Sequence, residues 1–152
     1  MGLTLEFYAG DPYAITKPVD HLGYDRLDDP LVAGAKADFS LHLIPDDLNF
    51  LSRAIAETTR QRPMGLRPIM QIVIDKPDYG VLAVDPGWVA YVARAEVQQA
   101  AVIADAWAKS LNLARADDLV ANTHVLKAIE DLIVLCQQAH RSRKAVVHVW
   151  YA

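Results

Sequence analysis

The chain has 152 residues, a formal net charge of −4, 53% hydrophobic residues and 22% charged ones. At about 100–150 residues for a typical domain, that describes one α+β domain over 1–152, with a core that needs no metal or disulfide staple, and it excludes disordered, collagen-like and low-complexity classes. An excess of 19 Asp+Glu over 15 Lys+Arg is unsuited to tracking a phosphate backbone, so no nucleic-acid partner is expected.

Leu3, Leu5 and Phe7 alternate with Thr4, Glu6 and Tyr8, the period of two that marks a first strand with one buried face. Residues 10–37 are rich in proline, glycine and aspartate and read as a long excursion. Asp-Pro pairs at 11–12 and 29–30 there suit short helix starts, because aspartate caps and proline fits the first turn, so one or two helical turns are expected. Alternation resumes over Asp38–Ile44, with Phe39, Leu41 and Leu43 opposite Asp38, Ser40 and His42, as a second strand.

Pro45-Asp46-Asp47 opens a helix that carries Leu48, Leu51 and Ile55 at helical spacing and ends near Gln61. Ile69–Ile74 and Tyr79–Val84 form a hairpin across Asp75–Asp78. Asp85-Pro86-Gly87 is compatible with a turn into a strand, but a capped start before an amphipathic run favours a helix over 86–94. Val97, Ala100, Ala104, Trp107 and Leu111 make one helical stripe, and Leu126, Ile129, Ile133 and Cys136 make another. The run Ala145–Tyr151 adds a final strand. The fold class is therefore α+β: a small mixed or antiparallel sheet packed against three or four helices.

The single cysteine, Cys136, cannot form an intramolecular disulfide and lies on the apolar stripe of its helix, which fits a buried, inert thiol in a reducing cytoplasm. The opening MGLTLEFYAGDPY has no basic segment followed by a signal-length apolar run, and no window approaches the roughly 18 apolar residues of a membrane span. Neither secretion nor a membrane partner is expected.

No phosphate loop, dinucleotide fingerprint, nucleophile elbow or metalloprotease motif occurs, so any catalytic site must assemble from scattered residues. The best composite is one sheet face bearing Glu6, Tyr8, Ser40, His42, His148 and Trp150. If those strands are neighbours, Glu6, His42 and His148 could form an acid/base or metal-dependent hydrolase site, although polar residues on an outer sheet face are ordinarily just solvated. Tyr13, His21 and Tyr24 in the excursion, with Trp150, are candidates for a ligand or partner surface. Arg60, Arg62 and Arg67 around Pro63-Met64-Gly65 could meet an anion. His140, Arg141, Arg143 and Lys144 complement a helix C-terminus instead.

The Met1-Gly2 start leading into Phe7-Tyr8, together with a last helix running through Arg141–Lys144 into a final strand, resembles the YfbM-like family of small uncharacterised bacterial proteins. The resemblance implies a bacterial, cytoplasmic protein and carries no activity or site residues to transfer. The reading is of a non-catalytic binding or interaction module, self-associating through an apolar helix or sheet edge, with no metal or other cofactor; the alternative is the hydrolase of Glu6, His42 and His148.

Overall fold

The computed structural model describes residues 4–21, 27, 34–40, 44, 46–66, 70–115 and 120–152. In chain order these form β1 (Thr4–Ala9), α1 (Pro12–Asp20), β2 (Lys36–Asp38), α2 (Asp47–Thr59), β3 (Met70–Asp75), β4 (Tyr79–Val84) and α3 (Pro86–Ala93). A 3₁₀ turn over Val97–Gln99 leads into α4 (Ala100–Arg115), followed by α5 (Thr123–Ser142) and β5 (Val146–Tyr151). The α+β class stands. The sheet is antiparallel throughout, in the order β2-β1-β5-β4-β3, and the described helices number five rather than three or four.

The additional helix is α1, where more than two turns replace the one or two expected. Asp11 accepts the Tyr13 N–H at 3.0 Å and Pro12 supplies the first turn, while the Thr16 hydroxyl donates to the Pro12 carbonyl at 2.6 Å. Ile15, Pro18 and Val19 turn inward. The hairpin β3–β4 and the capped start of α3 stand as read, with Asp85 accepting the Gly87 N–H at 2.7 Å. The second strand, expected over 38–44, begins earlier, at Lys36, and Phe39, Ser40 and Ile44 lie outside it. Among the described residues beyond Asp38, the contacts with β1 are Phe39 N–H to the Leu5 carbonyl at 2.7 Å and Leu5 N–H to the Ser40 hydroxyl at 3.3 Å. Leu41, His42 and Leu43 lie outside the described residues.

Both faces of the sheet are covered. Opposed residues in an antiparallel pair share a face, and β1 pairs with β5 as Leu5↔Trp150, Phe7↔His148 and Tyr8↔Val147. One face thus carries Leu5, Phe7, Ala9, His148 and Trp150 beneath the main helix layer, in which α5 lies on β1 and β2, α3 and α4 pack on α5, and α2 packs on α4. The other carries Tyr8, Val81, Val147 and Val149, covered by α1 with Ile15 and Val19 and by Leu27. β5, the last strand in the chain, is the middle of the sheet.

Aromatic rings tie the helix layer to its sheet face. Phe7 stacks on Trp88 at 6.0 Å and meets Phe39 edge-on at 5.7 Å, and Phe39 lies 5.8 Å from Trp107. Each polar handle of this cluster finds a partner on α2. Trp88 Nε1 donates to the Ser52 hydroxyl at 3.1 Å, Trp107 Nε1 donates to the Asp47 carbonyl at 3.1 Å, and the Tyr91 hydroxyl donates to the Ser52 carbonyl. Burial pushes the Tyr91 hydroxyl up to about 12, so it stays a neutral donor.

Candidate functional site

The carboxylate of Glu6 is buried on the α1 side of the sheet. It accepts the Tyr8 hydroxyl and pairs with Lys36 Nζ at 3.0 Å, and the same ammonium lies 5.6 Å from the Tyr8 ring centre. Strand spacing creates this group: Glu6 and Tyr8 are two residues apart on β1, and Lys36 is the direct β2 partner of Tyr8. A buried carboxylate held by a cation and a phenol has a structural reason to be there, since its charge is compensated where it sits.

His148 is fully buried on the opposite face. Its ring lies 4.7 Å from Phe7, and its Nδ1 is 3.2 Å from the Glu6 carbonyl oxygen. Glu6 and His148 sit on adjacent strands, which meets the condition set from the sequence, but their side chains leave the sheet in opposite directions. The expected convergence of Glu6, Tyr8, His148 and Trp150 on one face is corrected by the β1–β5 register. The third member of that set, His42, lies outside the described residues. Among the described residues no three His, Cys, Asp or Glu side chains gather closely enough to hold a metal ion.

The other residues singled out from the sequence are scattered. Tyr13 is 80% exposed on α1, and His21 caps the end of that helix, also exposed; Tyr24 lies outside the described residues. Trp150 is half-buried, on the sheet face opposite Tyr13. Its indole covers Gly80, where a Cβ would come within 2.2 Å of Nε1, so this close approach requires glycine. Cys136 is fully buried, and burial pushes its thiol up, away from the thiolate a nucleophile needs.

Two concavities border the helix layer. One, of about 470 Å³, runs along Val84, Pro86, Val89, His140, Arg143 and Val146. The other, of about 310 Å³, lies between the segment after α2 and one face of α3, with Arg60, Gln61, Arg62 and Met64 facing Tyr91 and Arg94. Arg67 lies outside the described residues; among the described residues Arg94 joins Arg60 and Arg62. Nothing in the local sequence announces that partnership, because the two segments meet only through the packing of α3 beside the end of α2.

Among the described residues, apolar side chains are also exposed singly at Val102, Leu113 and Val120, and, as part of a strand, at a border of the sheet. Among the described residues β3 is an edge strand, six residues long, MQIVID, and its central Ile72 is 60% exposed. It contains no lysine or proline, and the only irregularity in its pairing falls between Ile72 and Ile74. β2, at the opposite edge, has three residues, two of them charged. No family model, curated protein or solved structure matches this chain.

Proposed function

We propose that this chain is a cytoplasmic, non-catalytic interaction module that associates with a second copy of itself through β3. The observation that carries the reading is the apolar β3 edge with Ile72 exposed at its centre. An open strand of this length and composition is a template for pairing with another strand; folded proteins ordinarily blunt such borders with charge, proline, bulges or brevity, and of these β3 carries only the irregularity between Ile72 and Ile74 and the terminal charge of Asp75. The lone, buried thiol of Cys136 fits a reducing compartment.

A second copy suits this edge better than an arbitrary peptide. The only charged residue in the strand is Asp75, at its end. Antiparallel self-pairing about the middle of β3 would bring Ile72 and Val73 of the two copies together, and would set each Asp75 beside Met70 or Gln71 of the other copy, away from its like charge. Such a contact is isologous and closes as a dimer, without propagating into a fibre.

The test is native mass spectrometry of the purified chain at two concentrations, beside Ile72→Lys. A concentration-dependent dimer in the parent chain, lost in a variant that keeps the parent's melting temperature at the dilution where the parent is monomeric, supports the reading. A monomer throughout, or a dimer indifferent to the substitution, contradicts it.

A further inference from the structure

We propose that the cleft between the end of α2 and α3 binds a small phosphate monoester, with Arg60, Arg62 and Arg94 receiving its dianionic head. The β3 edge plays no part in this inference.

Three guanidinium groups from segments more than thirty residues apart line one concavity of about 310 Å³, in a chain whose net charge is −4. Among the described residues no carboxylate pairs with any of them. Such a concentration of one sign raises the local concentration of ligands of the other sign.

The side chains are also held for the task. Gln61 Nε2 donates to the Tyr91 carbonyl at 3.0 Å and to the Thr59 hydroxyl at 2.7 Å, while Gln61 Oε1 accepts Arg94 Nη1 at 3.1 Å. One guanidinium is thereby braced with its other donors free for a ligand. Arg60 sits in the left-handed region at φ 55° and ψ 43°, where glycine is usual, and the Gln61 N–H closes the helix end on the Ala56 carbonyl at 3.0 Å. This geometry turns the chain so that Arg60 and Arg62 both reach the cleft.

Charge and size narrow the ligand. Arg60 caps the C-terminus of α2 and Arg94 that of α3, and each helix end brings about −0.5 elementary charge. Together the two ends offset about one of the three positive charges, leaving about +2, which matches a phosphate monoester dianion better than a single carboxylate. Arginine forks suit phosphate oxygens, and Met64 and Tyr91 offer an apolar wall for the esterified group. The volume lies at the lower end of the range for small-molecule pockets, about 300–1,000 Å³, so the occupant is small.

The experiment is calorimetric titration of the full chain with phenyl phosphate, with benzoate and a short DNA duplex as comparators. Expected is saturable one-to-one binding of phenyl phosphate that exceeds benzoate binding. It should fall by at least about tenfold in Arg62→Gln and in Arg94→Gln, and remain unchanged in Arg141→Gln, an exposed position in the last turn of α5 that does not line the cleft. Arg62 and Arg94 are exposed, so both variants should fold. If either does not, arginine side-chain resonances of the parent chain decide the matter, because phenyl phosphate should move those of Arg62 and Arg94 and leave that of Arg141 in place. No saturable binding, an equal loss in Arg141→Gln, or duplex DNA displacing phenyl phosphate would overturn the proposal.

Discussion

β2 and β3 close the same sheet at opposite borders and treat the open strand in different ways. β2 is three residues long, and its Lys36 is drawn inward to Glu6 and Tyr8, so the charge that guards this edge also neutralises a buried carboxylate. β3 is twice that length, mostly apolar, and exposes Ile72. One edge spends its polar residues on the stability of its own fold, whereas the other leaves apolar surface available to a second chain. Stability should therefore respond to changes at β2, and association to changes at β3.

The largest disturbance should come from the strand that supports β3. In Gly80→Ala the new methyl group would collide with the Trp150 indole, and displacing that ring should cost about 1–3 kcal/mol and weaken association as well; chemical denaturation and sedimentation read the two effects separately. Next is Lys36→Met, which leaves the Glu6 carboxylate beside Tyr8 without its cation. Because Lys36 is partly exposed, the cost should be about 1–2 kcal/mol, below that of a fully buried pair, with association unchanged. Loss of association in this variant would break the contrast between the edges.

Ile72→Lys should do the reverse. Its effect on stability should stay within about 0.5 kcal/mol, as for an ordinary surface position, while dimer affinity falls at least about tenfold, or ~1.4 kcal/mol. A smaller effect, absent at neutral pH, sharpens the comparison by acting on the interior beneath both edges. Cys136 and Tyr91 keep their protons in the folded chain after the unfolded chain has released them, because burial raises both groups. The unfolded state then binds fewer protons at alkaline pH, so the melting temperature should decline from about pH 8.5 upward as first the thiol and then the phenol ionise in the unfolded chain. Cys136→Ala should remove the earlier part of that decline, and neither change should alter which edge governs association.

Much of the fold was legible because its signals are local. Asp-Pro caps located α1 and α3, the stripes of α4 and α5 matched their buried faces, and the β3–β4 hairpin followed from two β-rich runs around a proline-bearing turn. Which way the side chains of β5 point was not legible. In VVHVWY both alternating sets are largely apolar, and a strand covered on both faces loses the polar alternation that identifies its outside. His148 reads as an outward residue by its polarity and is instead buried against Phe7. The shift of β2 to 36–38 has a similar origin, since Phe39 is buried just past the strand end and imitates its continuation. Arg60 and Arg62 were visible as a charged pair, but their meeting with Arg94 depends on how α3 packs against the end of α2.

The most direct test of the contrast between the edges is hydrogen exchange of the backbone amides as a function of protein concentration. If β3 pairs with a second copy, protection within 70–75 rises with concentration while that of 36–38 stays constant. Concentration-independent exchange in β3, or protection appearing at β2 instead, would contradict it.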